Sequence, residues 1–240
     1  MAISKNSTNH KRQIIGLGGG GFSCLGKTTP IDKYILSLAV QNPKVCFLPT
    51  ASGDAETYIN KFYQAFSMEN CYMSHFSVFK SNHSNEFLLE QDIIYVGGGN
   101  TFNMLNLWSA RGIDKVLKMA YEKGIILCGI SAGSLCWFES GNTDSFGKMD
   151  KIDCLGFLPY SNSPHFNSES TRRPSFESLI QKKSIAGGYA VDENVALHFI
   201  DEELHKAVKE KEENSAYFIS LENGTINEKI INPENIENNF

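Results

Sequence analysis

Ile125-Ile126-Leu127-Cys128-Gly129-Ile130-Ser131-Ala132-Gly133-Ser134 is an apolar run that breaks into a G-x-S-x-G pattern. Consecutive apolar residues with no polar alternation read as a strand buried on both faces. Residues 132–138 are helix-forming, so the serine falls on a strand-to-helix turn. Such a turn crowds its backbone, needs small neighbours, and stands the serine hydroxyl at the carboxyl end of a sheet. Ser131 is therefore a candidate nucleophile. The N–H groups that follow it, Ala132 first, open a helix and can stabilise negative charge. The plainer alternative is a serine that only caps a helix.

Outward from this stretch, strand and helix signals alternate. Residues 13–17 read as a strand, followed by a glycine-rich loop. Thr29 and Pro30 open a helix with one apolar stripe, Ile31, Tyr34, Ile35 and Leu38. Strands are expected at 45–48, 72–79 and 93–96, and helices at 55–68, 101–110 and 113–123. Buried strands alternating with helices predict an α/β fold: three layers, with a mostly parallel sheet covered by helices on both faces. Beyond about residue 140 the pattern loosens. Residues 141–170 read as loops over the sheet edge, 175–183 as a helix, and 185–190 and 194–200 as strands. The charge run 201–214 reads as a solvated face or turn. One domain over 1–240 is expected, with the polar leader 1–11 and the polar tail 221–240 at its periphery.

Composition narrows the partners. A net charge of −5 provides no basic face for a nucleic acid. No window approaches a spanning apolar segment, and the polar N-terminus carries no secretory signal pattern. The six cysteines form no C-x-x-C pair, so neither a zinc site nor a disulfide framework is expected, and a reducing cytoplasm suits them. No metal or organic cofactor is implied.

A serine nucleophile needs a base. Among His10, His75, His83, His165, His198 and His205, the one in a loop pinned by proline is His165, within Ser163-Pro164-His165-Phe166. Loops at the carboxyl edge of a sheet are where catalytic groups gather. The acid that would orient it stays open between Glu139, Asp144, Asp150, Asp192 and Glu193. Gly97-Gly98-Gly99-Asn100 follows a strand and opens a helix. It is either a second wall of the cleft that supplies an oxyanion donor, or a tight turn capped by Asn100 or Thr101. Gly16-Leu17-Gly18-Gly19-Gly20-Gly21 matches G-x-G-x-x-G, yet no helix opens at its last glycine and no acid ends the second strand. A structural or cleft-lining loop is the better reading than a dinucleotide site. The gap of about 30 residues between Ser131 and His165 is too short for an ordinary α/β-hydrolase, whose histidine follows further strand–helix units.

Ile94-Tyr95-Val96-Gly97-Gly98-Gly99-Asn100-Thr101, then Gly129-Ile130-Ser131-Ala132-Gly133-Ser134, then Ser163-Pro164-His165-Phe166, together resemble the peptidase E group of serine peptidases, family S51, which includes aspartyl dipeptidase and cyanophycinase. The resemblance implies a class I glutamine amidotransferase-like fold with serine in place of the usual cysteine. It implies Ser131 as nucleophile, His165 as base, and Asp144 as the acid. Glu139 is an alternative in the same stretch, and Glu193 matches the acidic position of cyanophycinase-like members. It further implies Gly99 and Ala132 as oxyanion donors, with Gly98 and Asn100 lining the site, and Arg172 as the receptor of an acidic substrate side chain. The expected activity is cleavage of dipeptides or short peptides through an acyl-enzyme, by a monomer or homodimer, with a preference for N-terminal Asp. The rivals are a cyanophycinase-like hydrolase or esterase, and an inactive small-molecule binder on the same fold.

Overall fold

The short apolar runs around residues 13–17, 44–48, 93–96 and 126–130 lie side by side in one parallel sheet. The computed structural model describes residues 11–80, 83–237 and 239; residues 1–10 of the polar leader, His10 among them, lie outside these. In chain order the elements are β1 (Gln13–Leu17), α1 (Phe22–Leu25), α2 (Pro30–Ser37), β2 (Lys44–Leu48), α3 (Glu56–Phe66), β3 (Tyr72–His75), β4 (Ile93–Val96), α4 (Thr101–Arg111), α5 (Ile113–Glu122), β5 (Ile126–Ile130), α6 (Ala132–Leu135), β6 (Phe138–Thr143), β7 (Asp150–Asp153), β8 (Leu158–Ser163), α7 (Arg172–Gln181), β9 (Gly188–Val191), β10 (Val195–Ile200), β11 (Glu203–Lys209), β12 (Ala216–Glu222), β13 (Thr225–Ile231) and β14 (Glu234–Asn235). The main sheet runs β14-β11-β10-β1-β5-β4-β2-β3. Its β1, β5, β4, β2 and β3 are parallel, and β10 closes against β1 in the antiparallel sense.

Alternate residues of the parallel strands feed two cores, as the period of two along a strand requires. Ile14, Cys46, Leu48, Ile94, Val96 and Leu127 pack with α4 and α5, through Met104, Trp108, Leu117 and Tyr121. Ile15, Leu17, Val45, Phe47, Tyr95 and Cys128 face the other way, onto α1 to α3, through Phe22, Ile31, Ile35, Phe62 and Phe66. The fold is thus the expected three-layer α/β arrangement. α2 begins where the Thr29-Pro30 signal places it, and Asp32 accepts from the Thr29 N–H at 2.9 Å.

The second half differs from the reading of residues 141–170 as loops. A second sheet runs β13-β12-β9-β8-β6-β7, with β6, β8 and β9 parallel. Its inner strands are polar: Ser140, Asn142, Thr143, Ser161, Asn162 and Ser163 are all buried. Strand propensity follows packing and burial, and buried Ser and Asn in strands leave no apolar periodicity to read. Small residues let these strands approach closely; a Cβ on Gly188 would sit 2.5 Å from the Ser161 carbonyl carbon. The charge run contains β11, and the tail contributes β13, joined to β12 through Asn223-Gly224 at positive φ. Asn-Gly is a hairpin signal in its own right. α7 packs onto this sheet through Phe176 and Ile180, against Phe166, Ala190 and Ile219.

The arrangement brings three sequence motifs to one edge. β1, β5 and β4 are neighbours and parallel, so the glycine loop after Leu17, the serine after Ile130 and the glycines after Val96 all emerge at the carboxyl end of the sheet. Ligand sites of parallel sheets form at that end.

Candidate active site

Ser131 has φ 56 and ψ −111, a left-handed backbone that a non-glycine residue adopts only when its surroundings impose it. Those surroundings are on both sides. The Ser131 N–H donates to the Leu17 carbonyl at 3.1 Å, and the Ser131 carbonyl accepts from Ser134 and Leu135 at 2.9 and 2.8 Å, which starts α6. The glycines of the pentapeptide are required by packing. A Cβ on Gly129 would lie 2.6 Å from the Gly133 carbonyl carbon, and one on Gly133 would lie 2.7 Å from that of Val96. Ala132, first in α6, has no intrahelical acceptor for its N–H.

Gly98 flanks the serine; a Cβ there would stand 3.4 Å from Ser131 Cβ. The Gly98 N–H donates to the Tyr58 hydroxyl at 3.3 Å. Gly99 has φ 141 and packs on the Ala51 carbonyl, which accepts from the Asn100 N–H at 2.8 Å. Asn100 Oδ1 accepts from the Asn103 N–H at 2.8 Å, and its Nδ2 donates to the Ser145 carbonyl at 3.1 Å. Its side chain therefore caps α4 and anchors a loop. Of the two sequence readings of the cluster, these bonds bear on the turn: Asn100 is its cap, and Gly98 stands beside Ser131.

His165 also has a left-handed backbone, φ 56, and its N–H donates to the Gly18 carbonyl at 3.0 Å. Its Nδ1 lies 2.5 Å from Glu193 Oε1. A carboxylate on Nδ1 fixes the tautomer with the proton there and leaves Nε2 as the basic atom. Burial pushes the Glu193 carboxyl up; the His165 bond and charge, with the Ser168 hydroxyl at 3.1 Å, outweigh it and hold the carboxyl below its ordinary value. The imidazole and carboxylate are 19% and 25% exposed, so both are reachable from solvent yet partly desolvated.

Asp144 is not the partner of His165. The stretch 138–143 is a strand, and Asp144 follows it at a site 64% exposed, 3.8 Å from Arg172. Glu139 is exposed at the start of β6. Arg172 is likewise corrected as a substrate receptor. It is buried, donates from Nε to Glu169 at 2.6 Å and from Nη1 to the Asn142 carbonyl at 2.9 Å, and its own carbonyl accepts from Asn142 at 3.1 Å. Its guanidinium joins α7 to β6. Arg173 lies over the Phe166 ring at 4.3 Å and pairs with Glu228. The remaining described histidines have other settings. His75 bonds Tyr63, His83 stacks on Phe87, and His205 lies beside His198. His198 bonds Tyr34 and Gln13.

The end of β1 and the glycine loop after it, expected as a structural or cleft-lining loop, form a hub. Leu17 holds Ser131 and Gly18 holds His165 through their carbonyls, while the Gly18 N–H donates to Val195 at 3.0 Å and the Asn194 N–H donates to Gly19 at 3.2 Å. A Cβ on Gly18 would lie 2.5 Å from the Val191 carbonyl oxygen, one on Gly19 would lie 2.5 Å from Glu193 Cδ, and one on Gly20 would lie 2.5 Å from Asn194 Oδ1. These glycines permit close approach to residues 191–194, and the run of four was the available signal. Among the described residues no group of His, Cys, Asp or Glu side chains is arranged to hold a metal ion.

The model of peptidase family S51 matches residues 14–207, which contain the serine, the histidine, the glutamate and both glycine clusters. The chain belongs to peptidase family S51. Among S51 relatives, the uncharacterized peptidase YgaJ of Bacillus subtilis (strain 168) is 46% identical over 213 residues, covering 88% of this chain and 93% of that protein. Peptidase E of Shewanella denitrificans is 24% identical over 155 residues, 62% of this chain and 65% of its own. The crystal structure of a peptidase from an acI-B1 Actinobacterium superposes with a TM-score of 0.72 over 93% of this chain and 96% of that one, at 15% identity, and so shares the fold. S51 membership places the chain among peptidases, and so among hydrolases. No helix among the described residues is long and apolar enough to cross a membrane.

Proposed function

We propose that this S51 protein is a serine-type peptidase that cleaves short peptides through an acyl-enzyme on Ser131, with His165 as the base and Glu193 as the acid that orients it. The observation that carries the reading is the 2.5 Å His165–Glu193 contact, held by Gly18 and Gly19 directly after Leu17, whose carbonyl binds the strained Ser131 turn. His165 Nε2 takes the proton of Ser131 Oγ as the oxygen attacks the peptide carbonyl. The oxyanion is stabilised by the N–H groups of Ala132 and Gly99. The imidazolium returns its proton to the leaving amine, the C–N bond breaks, and water deacylates the serine by the reverse proton path. Glu193 stabilises the imidazolium throughout.

An N-terminal Asp preference rested on Arg172, and the bonds of that side chain to Glu169 and Asn142 weigh against it. The substrate class is therefore kept at short peptides; the relatives' names support peptides as substrates. Cleavage of a dipeptide panel that includes Asp-Xaa and β-linked aspartyl-arginine tests it. Hydrolysis of short peptides that disappears in Ser131→Ala supports the reading. Activity confined to esters or to β-linked aspartyl-arginine, or none at all, would overturn it.

A further inference from the structure

β9 ends at Val191 and β10 begins at Val195, so Glu193 lies in the turn between two strands of different sheets. Its neighbours in the turn are held by main chain. The Asp192 N–H donates to Ser215 at 3.1 Å, and the Asn194 N–H donates to Gly19 at 3.2 Å. Glu193 is held differently. Its N–H donates to Asn167 Oδ1 at 3.0 Å, and its carbonyl accepts from Asn214 Nδ2 at 2.5 Å. The ring closes because Asn167 Nδ2 donates to Asn214 Oδ1 at 3.1 Å. Only one orientation of the two amides satisfies all three bonds. The Glu193 N–H needs an oxygen, which turns the Asn167 nitrogen to Asn214, which in turn leaves the Asn214 nitrogen for the Glu193 carbonyl.

Two features give this ring a purpose beyond turn stability. Asn167 is two residues after His165, so the segment that presents the base also grips the main chain of its partner. Glu193, Asn167 and Asn214 also line a cavity of about 630 Å³, so core packing does not fix the turn on that side. A carboxylate on a mobile turn would wander by more than a short hydrogen bond tolerates, and misplacement of about 1 Å at an active site costs up to ~100-fold in rate.

We propose that Asn167 and Asn214 are positioning residues: their side-chain amides clamp the Glu193 main chain and thereby set its carboxylate on His165 Nδ1. The clamp rests on the Ser131–His165–Glu193 reading for its kinetic consequence, and on geometry alone for its effect on the His165–Glu193 hydrogen bond.

The test uses the full chain and two readouts. The first is the second-order rate constant for labelling by a fluorophosphonate. Asn214→Ala is expected to lower it about tenfold and Asn167→Ala about threefold. In a Glu193→Gln background each change is expected to matter less than about twofold, because there is no carboxylate left to position. A clamp that only stabilises the fold would slow both backgrounds alike, and that result would overturn the proposal. So would wild-type labelling rates in both single variants. The second readout is the downfield proton NMR signal of the His165 Nδ1 hydrogen. It is expected in the wild type, absent in Glu193→Gln, and shifted or broadened in Asn214→Ala and Asn167→Ala. A wild type that resists the label but shows this signal, moved in both variants, would refute the peptidase reading and support the clamp. A signal unmoved in either variant would refute the clamp whatever the label does. Asn167 is exposed, so its variant carries the test if Asn214→Ala fails to fold.

Discussion

Replacing Glu193 by Gln probes the contact that puts Glu193, and not Asp144, on the base. Gln keeps the size of the side chain and removes its charge. The lost term is the attraction between the carboxylate and the imidazolium that forms as Ser131 attacks. Unit charges about 4 Å apart interact by ~4 kcal/mol at an effective dielectric of about 20. With Glu193 a quarter exposed, solvent screens part of this, leaving a loss of about 3 kcal/mol, or roughly a hundredfold in rate. The Gln amide can also present its N–H₂ to Nδ1 and favour the wrong tautomer, which deepens the loss toward ~10⁴-fold. The assay is the rate constant for fluorophosphonate labelling at neutral pH, with circular dichroism to confirm the fold. Asp144→Asn, at an exposed site beside Arg172, is expected to stay within about twofold of wild type. A Glu193→Gln rate within threefold of wild type, or an equal loss in Asp144→Asn, would refute the reasoning.

Three further outcomes follow from other contacts. Gly19→Ala places a Cβ 2.5 Å from Glu193 Cδ, and the carboxylate can swing aside at little structural cost; the labelling rate is expected to fall about tenfold or more with a melting temperature within a few degrees of wild type. Arg172→Ala leaves Glu169 and the Asn142 carbonyl without their buried guanidinium; urea unfolding should show a loss of about 3 kcal/mol, and the ratio of Asp-Xaa to other dipeptide cleavage should not change. Two buried groups contribute to the pH dependence of stability in opposite senses. Burial, then the charges of His205 and Lys206, lower His198 to about 4. The unfolded chain therefore takes up its proton first, and stability falls as pH drops from about 6.5 to 4, by up to ~3 kcal/mol. Burial raises Asp32 to about 7 against its hydrogen bonds from Thr29 and Tyr95, so the folded state holds that proton and stability falls as pH rises from about 4 to 7. Asp32→Asn should therefore be more stable than wild type at pH 8, and in urea titrations its stability should fall less than that of wild type as pH rises from about 4 to 7. A variant less stable than wild type at pH 8 would contradict this account of Asp32.

The parallel half of the molecule was legible because its strands are apolar on both faces and its helices carry clean stripes, such as Ile31, Tyr34 and Ile35. The Ser131 turn was legible for the same reason: an apolar strand led into it, and small residues marked the bend. The second sheet was not, because Ser161, Asn162 and Ser163 are buried in a strand that lacks hydrophobic alternation. Asp144 is implied as the acid by the resemblance, whereas it follows a strand through Thr143 and lies exposed beside Arg172. Glu193 stands in sequence as one acid among several, 28 residues from His165, set apart only by its match to the acidic position of cyanophycinase-like members. Its selection depends on Gly18 and Gly19 packing against residues 191–194, a long-range contact that no local pattern encodes. Arg172 illustrates the converse: a guanidinium near the histidine matched a substrate receptor in sequence, while its burial depended on β6 being present.

The most direct test of the account is fluorophosphonate labelling of the intact chain, read by mass spectrometry of the modified peptide. The account predicts one adduct, on Ser131, absent in Ser131→Ala and slowed at least a hundredfold in both His165→Ala and Glu193→Gln. A folded wild type that takes no label, or an adduct on another residue that persists in Ser131→Ala, would contradict it.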